Sequence, residues 1–207
     1  MRHETVLDRK TLILLKEYCH LSFLKNFSLS GGTALALRLG HRRSYDLDLF
    51  SPISFTVFEL EKELESYYGA DFFKRGQLSN ALFSTIKDIK SDFIFDYGKP
   101  TNPFENSNGI RIYSIEENIA MKLMAITGRG RKRDFFDLYF ILKKYSFPQI
   151  IDFFTKKHNE ERLIMLYKSF TYFEDAESDN DPELLHKKIS WNKVKEELLK
   201  RVKEIKF

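Results

Sequence analysis

The chain has 207 residues, of which 43% are hydrophobic and 15% aromatic, which suits one substantial domain or a core with a smaller helical appendage. Its 34 Lys and Arg residues against 30 Asp and Glu leave a net charge of only +4, too small to identify a nucleic-acid-binding protein. The single Cys19 excludes an internal disulfide, and the polar start together with the lack of a bilayer-length apolar run predicts a cytoplasmic protein without membrane contact.

The first predicted elements are an amphipathic helix over 6–20 and a short buried strand over 27–30 that ends at Gly31 and Gly32. The following TALALRLG has the composition and length of a helix. The first N–H groups of a helix have no internal partner, and glycine lets a phosphate approach the backbone closely. Thr33 can add a hydroxyl donor at the same place. The order strand, glycine turn, helix therefore predicts a phosphate-binding turn.

An acidic strand follows the basic turn over 40–44. The run YDLDLF alternates with period two, so Asp46 and Asp48 point to one face and the two leucines to the other. Two adjacent carboxylates raise each other's pKa unless a cation lies between them, and Mg²⁺ with oxygen ligands is a common remedy. An isolated Asp-x-Asp is more often a solvated strand edge. The spacing to the glycines, with Ser44 and an arginine between, favours a magnesium site that faces the phosphate-binding turn.

The stretch GGTALALRLGHRRSYDLDLF closely resembles the first motif of the AbiEii-type nucleotidyltransferases, the toxins of abortive-infection and type IV toxin–antitoxin systems. That group belongs to the DNA polymerase beta-like nucleotidyltransferase superfamily. The resemblance implies an α+β fold, a mixed nucleotidyltransferase-type β-sheet flanked by helices, with a C-terminal helical bundle. It also implies transfer of an NMP from an NTP to a hydroxyl with two Mg²⁺ ions. The residues it assigns are Asp46 and Asp48 as metal ligands and Gly31, Gly32, Thr33 and Ser44 for the nucleotide.

A helix over 55–68 and three strands, over 71–77, 80–88 and 89–98, are expected next, the strands as sheet neighbours of the acidic strand. In the superfamily a third carboxylate on a neighbouring strand completes the two-metal site. The resemblance assigns this metal-binding and catalytic role to Asp92. Asp96 is the rival, and its structural alternative is a strand-end residue that bonds the following turn.

A loop over 98–109, rich in Asn and Pro, is a plausible boundary. We expect a nucleotidyltransferase core over 1–113 and a helical region over 114–207 that contributes a lysine and an aspartate to the cleft. A capping box at Ser114 starts a helix that runs to about residue 127. From residue 146 onward the chain is predicted to be helical throughout, as 148–158, 161–177 and 190–207, without a catalytic constellation.

The middle of this region again resembles the family, whose later motif pairs a lysine on one helix with Arg-Asp-x-x-Asp at the start of the next. The matching residues are Lys122, Arg133, Asp134 and Asp137. The resemblance makes Lys122 a counter-charge for the triphosphate, assisted by Arg133, and makes Asp137 a residue that orients the lysine or a substrate group. The structural alternative is an N-cap at Asp134 and a buried Arg–Asp pair that joins the helices. We expect Asp134 to be structural. We expect Lys122 and Asp137 to lie close to the site.

Three functions remain open at this point. The first is a nucleotidyltransferase toxin of a phage-defence system, with tRNA or protein as acceptor and a winged-helix antitoxin encoded nearby. The second is a transferase that modifies a small molecule such as an antibiotic. The third is an inactive binding module on the same fold, against which the complete Asp46 and Asp48 pair argues. The donor nucleotide and the acceptor are not decided by the sequence.

Overall fold

The computed structural model describes residues 3–98, 100–101, 104–185 and 188–203. The strands are β1 Ser28–Ser30, β2 Leu47–Ser51, β3 Phe72–Leu78, β4 Ala81–Ile86, β5 Ile89–Phe95, β6 Glu105–Ser107 and β7 Ile110–Ile112. The helices are α1 Arg9–His20, α2 Gly31–Leu39, α3 Val57–Tyr68, α4 Ile115–Gly128, α5 Lys132–Ile141, α6 Phe147–Lys157, α7 Leu163–Ser169 and α8 Trp191–Lys203. The helix expected over 190–207 is described as far as Lys203, and its last four residues lie outside the described part.

The strands form one seven-stranded mixed sheet in the order β3-β4-β5-β2-β1-β7-β6. β2 is parallel to β5 and antiparallel to β1, while β3, β4 and β5 form an antiparallel meander. The prediction that the three later strands neighbour the acidic strand is confirmed, with β5 in direct contact with it. The mixed sheet with flanking helices also confirms the expected α+β class.

Alternation along β2 separates the two faces of the sheet. Leu47 and Leu49 are buried in a hydrophobic cluster with α1 and α3, to which Leu14 and Leu64 belong. Asp48 points to the opposite face, where it lines a cleft with residues of α4. One strand therefore anchors the core with its leucines and presents a carboxylate on its other side.

A second hydrophobic cluster lies among α4, α5, α6, α7 and α8, with aromatic residues such as Phe135, Phe154 and Trp191 at its centre. Leu35 of α2 belongs to this second cluster, whereas other residues of α2 belong to the first. The two clusters therefore share helix α2. The predicted division of the chain into two domains at residue 113 stays a prediction.

Three local expectations differ from the structure. The N-terminal helix begins only at Arg9, because Asp8 caps it by accepting from the Thr11 N–H at 2.8 Å. The loop expected over 98–109 contains β6, which pairs with β7 through a turn at Asn108 and Gly109, both with positive φ. The helix expected over 161–177 is limited to α7, after which Phe173 turns inward against Phe135 and Trp191.

The serine half of the predicted capping box is confirmed, because Ser114 accepts from the Glu117 N–H at the start of α4. The Glu117 side chain instead contacts Thr101 and Lys157. Ser190 accepts from the Lys193 N–H at the start of α8. No helix in the described ranges has the length and apolar character needed to cross a membrane.

Candidate active site

Two acidic strands meet on one face of the sheet. Asp48 of β2 and Asp92 of β5 are paired directly in the parallel register, so their side chains leave the sheet on the same side. Asp46 lies just before β2, within 3.7 Å of a guanidinium nitrogen of Arg133 on α5. Asp48 and Asp92 border a cleft of about 240 Å³ between the sheet and α4. Its lining includes Gly31, Gly32, Asp48, Phe83, Asp92, Met121, Lys122 and Arg129.

The two glycines at the start of α2 are required by close neighbours. Gly31 has φ +69°, and a Cβ there would lie 2.5 Å from Oδ2 of Asp48. A Cβ on Gly32 would lie 2.6 Å from a terminal nitrogen of Arg42. The first N–H groups of α2 thus border the acidic cleft, and any larger residue would push the carboxylate or the guanidinium away.

Thr33 and Ser44 connect α2 with the acidic strand. Both are buried, their hydroxyl oxygens are 2.6 Å apart, and the Thr33 hydroxyl also donates to the backbone carbonyl of Asp46. These bonds fix the backbone that carries the first aspartate. The predicted contact of Thr33 with a phosphate stays untested, and in this arrangement its hydroxyl stabilises the turn.

Asp137 lies at the centre of a buried charge cluster behind the cleft. Its Oδ1 accepts from Nε2 of His41 at 2.6 Å and from Nε of Arg42 at 2.7 Å. Its Oδ2 accepts from the second nitrogen of Arg42 at 3.0 Å and lies 2.9 Å from Nζ of Lys122. One carboxylate therefore joins α5 to α4 and to the turn after α2.

The charge states in this cluster follow from its contacts. Burial by itself would raise the pKa of Asp137, but Arg42 and Lys122 hold that pKa well below its ordinary value. Burial lowers the pKa of His41, so its ring is neutral near pH 7 despite the carboxylate beside it. Burial would also lower the pKa of Lys122, yet Asp137 and Asp134 raise it and keep the ammonium charged.

Lys122 borders the cleft while its charge is held by two carboxylates. Its Nζ lies 2.6 Å from Oδ1 of Asp134 as well as 2.9 Å from Asp137, and only 4% of its side chain is exposed. The arrangement fits a positive group of fixed position rather than a flexible surface lysine. Its contact with a triphosphate stays a prediction.

The N-cap interpretation of Asp134 is wrong. α5 begins at Lys132 after Arg131, so Asp134 lies in its first turn, with its side chain completely buried on Lys122. The expected Arg–Asp pair between elements is formed instead by Arg42 and Asp137. Sequence reasoning missed Arg42 and His41 as partners, although the basic turn over 40–44 was a signal that cations were available for a buried carboxylate.

Asp92 and Asp96 have different surroundings. Asp92 faces the cleft and pairs with the guanidinium of Arg75 on β3. Asp96 follows the end of β5, accepts from the Gly98 N–H at 3.1 Å and pairs at 2.9 Å with Lys157 of α6, which also contacts Glu117. Asp96 therefore lies where the structural alternative places it, at the end of the strand and bonded to the following turn. Asp92 instead lies beside Asp48.

The acidic face fits a divalent cation by its charge. The pKa of Asp48 is raised to about 6, mainly by loss of water around the carboxylate and also by the negative charges of Asp92 and Asp46. Asp46, Asp48 and Asp92 supply the oxygen ligands that Mg²⁺ prefers. Within the described residues no group of three or more His, Cys, Asp or Glu side chains is arranged to hold a metal ion as it stands. Asp92 forms an ion pair with Arg75.

Solved structures share this fold of a mixed sheet flanked by helices. MenT4, a nucleotidyltransferase toxin from Mycobacterium tuberculosis H37Rv, is similar with a TM-score of 0.57 and 16% identity over 93% of this chain and 84% of that one. The antibiotic-resistance factor ANT(2'')-Ia is similar with a TM-score of 0.54 and 17% identity over 81% of this chain and 97% of that one.

The family follows from the sequence comparisons. The model of the nucleotidyl transferase AbiEii toxin family, of a type IV toxin–antitoxin system, matches residues 13–204. An uncharacterized protein of Aquifex aeolicus (strain VF5) is 31% identical over 197 residues, covering 92% of this chain and 93% of that protein. The chain belongs to the AbiEii nucleotidyltransferase toxin family.

Proposed function

We propose that the protein transfers an NMP from an NTP to a hydroxyl of a tRNA or a protein, with Mg²⁺, as the toxin of a phage-defence toxin–antitoxin system. The observation that carries this proposal is the direct pairing of Asp48 with Asp92 beside Asp46, at the N-terminus of α2. Family membership supports the reaction class and a partner antitoxin. We further propose that the antitoxin is a winged-helix protein encoded nearby, and that both act in the cytoplasm.

The carboxylates have distinct proposed roles. Asp46 and Asp48 would hold the cations, with Asp92 as the third ligand. Two bound Mg²⁺ ions would neutralise the negative charge of the reacting phosphates and align the attacking hydroxyl with the leaving pyrophosphate. Asp92 would also receive or steer the proton of the acceptor hydroxyl, because it lines the cleft beside Asp48.

The triphosphate would lie at the start of α2. The backbone N–H groups at Gly31 and Gly32 border the cleft at the positive end of the helix dipole. The half-exposed Arg133 stands beside Asp46 and would contact a phosphate oxygen. Lys122 adds positive potential from within, and Asp137 acts as its positioning residue.

The test is incubation with each of the four α-labelled NTPs, Mg²⁺ and either total tRNA, cell lysate or a panel of aminoglycosides. We expect label on tRNA or protein with wild type and a loss of at least about 100-fold in Asp48→Asn. Asp88→Asn is a matched control, because Asp88 is an exposed turn residue between β4 and β5 with φ +65°, a conformation that Asn tolerates.

The outcomes separate the candidate functions. Label on an aminoglycoside alone would favour the small-molecule transferase, the class of acceptor suggested by the fold shared with ANT(2'')-Ia. Absence of label on every acceptor with all four NTPs would favour the inactive binding module. Equal labelling by Asp48→Asn and wild type would contradict the proposed site.

A further inference from the structure

Arg75 occupies an irregular position on β3. In the ladder between β3 and β4, Lys74 pairs with Ser84 and Gly76 pairs with Phe83, which leaves Arg75 as the extra residue of a β-bulge. A bulge of this kind re-aims a side chain and is frequent beside active sites. Here the Arg75 side chain extends across β4, donating from Nε to the carbonyl of Ser84 at 3.0 Å and from a terminal nitrogen to Asp92.

The bulge aligns Arg75 with the row of residues that leads to the acidic pair. Gly76, Phe83, Asp92 and Asp48 are successive partners across four strands, so they share the cleft face of the sheet. The glycine leaves the space beside Phe83 free of a side chain, and the guanidinium lies alongside that row. Arg75 is thus directed at the third carboxylate by backbone geometry as well as by charge.

The contact is suited to being exchanged. The side chains of Arg75 and Asp92 are 30% and 23% exposed, and ion pairs this open to water contribute little to stability. In the sheet formed by the described residues, β3 is an edge strand. The buried pairs around Asp137 are, by contrast, almost completely removed from solvent.

We propose that Arg75 is a resident counter-cation of Asp92, a positioning residue that holds this carboxylate while the cation site is empty and yields it when a divalent cation binds. The proposal rests on the proposed function, since it takes Asp46, Asp48 and Asp92 as the cation-binding set. Arg75 and a divalent cation compete for the same oxygens, and the guanidinium also repels a cation placed beside it. Removing Arg75 therefore strengthens cation binding.

The test is direct titration of the full chain with Mn²⁺. Binding is measured by calorimetry and by the loss of the electron paramagnetic resonance signal of the free ion. Arg75→Gln should bind Mn²⁺ about fivefold more tightly than wild type, which is the upper end of what one exposed ion pair contributes. Arg75→Lys keeps the charge and should remain within about threefold of wild type. Thermal melts of each variant show that the fold is retained.

Lys74→Gln is the matched control. Lys74 is the adjacent residue and also pairs with a carboxylate, Glu61 of α3 at 2.7 Å, but on the opposite face of the sheet. Its substitution should leave the affinity for Mn²⁺ unchanged. An equal gain in Lys74→Gln and Arg75→Gln would show a general effect of net charge and would overturn the proposal.

The remaining outcomes are also decisive. If wild type binds Mn²⁺, Asp48→Asn abolishes that binding and Arg75→Gln binds as wild type or more weakly, the cation site stands and the role of Arg75 is refuted. If neither wild type nor any of the variants binds Mn²⁺, the metal dependence of the proposed function fails, and the role of Arg75 fails with it.

Discussion

Asp48 and Asp92 occupy directly paired positions on parallel strands, so their carboxylates repel each other. Among the described residues, no cationic side chain contacts both of them. Arg75 contacts Asp92, and Arg133 lies beside Asp46 rather than Asp48. An acidic site of this kind costs folding free energy, and under the proposed function a bound cation would offset that cost. Its cost can be measured.

We expect Asp48→Asn to stabilise the metal-free protein at pH 8 by about 3 kcal/mol, judged from the size of the pKa shift. The pKa of Asp48 is raised from 3.8 to about 6 in the folded chain, so ionisation of Asp48 destabilises the fold fully above about pH 6. The gain should shrink as the pH falls from 6 towards 4, where wild type becomes protonated as well. Urea unfolding at a series of pH values measures it.

Added Mg²⁺ should reverse the order of stability at pH 8, because it binds wild type and not the variant. Asp88→Asn should follow wild type in both conditions. A variant that is less stable than wild type at pH 8 would contradict the pKa assigned to Asp48.

Asp137→Asn should lower the free energy of unfolding by about 3–5 kcal/mol, since it leaves two buried cations without their shared carboxylate. Both Arg42 and Lys122 contact this group, whose side chain is 0% exposed. The pKa of Asp137 lies well below 3.8, so its stabilisation is present above the ordinary pKa and is lost only as the pH falls through the lowered value. Asp152→Asn, in an exposed pair with Lys156, should change stability little.

Asp92→Asn and Asp96→Asn should separate activity from stability. Asp92→Asn should lower nucleotidyl transfer at least about 100-fold with little change in melting temperature. Asp96→Asn should lower stability by about 1–3 kcal/mol, because the nearly buried Lys157 loses one of its two carboxylate partners, while transfer per folded molecule is kept. Full nucleotidyl-transfer activity in Asp92→Asn would show that Asp92 is not the third carboxylate.

Thr33→Val distinguishes a turn-stabilising hydroxyl from a phosphate-binding one. The lost bond to the backbone of Asp46 should lower kcat and reduce stability by about 1–3 kcal/mol, with the KM for NTP within about threefold of wild type. Thr33→Ser keeps the hydroxyl and should restore kcat. A rise in KM with unchanged kcat and stability would instead support direct contact between Thr33 and a phosphate.

The sequence determined much of the acidic strand by itself. Period-two alternation placed Leu47 and Leu49 in the core and Asp48 on the opposite face, because adjacent strand residues must point to opposite sides. The glycines at the start of α2 were also recognisable from order and spacing alone. Local rules sufficed there, since each feature depends only on residues a few positions apart.

Partners distant along the chain could not be predicted in the same way. Nothing in the local pattern states that Arg42 reaches Asp137, 95 positions later, or that Lys157 takes Asp96 away from the cleft. Those pairs depend on how helices pack against the sheet, which is set by the whole core rather than by any one segment.

The carboxylate motif and its chemistry were therefore encoded locally, where strand and helix periodicity fix the direction of each side chain. The tertiary structure alone decided which charges surround that motif: the parallel register brought Asp92 beside Asp48, and a one-residue bulge on β3 gave Asp92 the guanidinium of Arg75 as its neighbour. Register and bulge arise from pairing between strands far apart in sequence, and periodicity within one strand carries no information about that pairing.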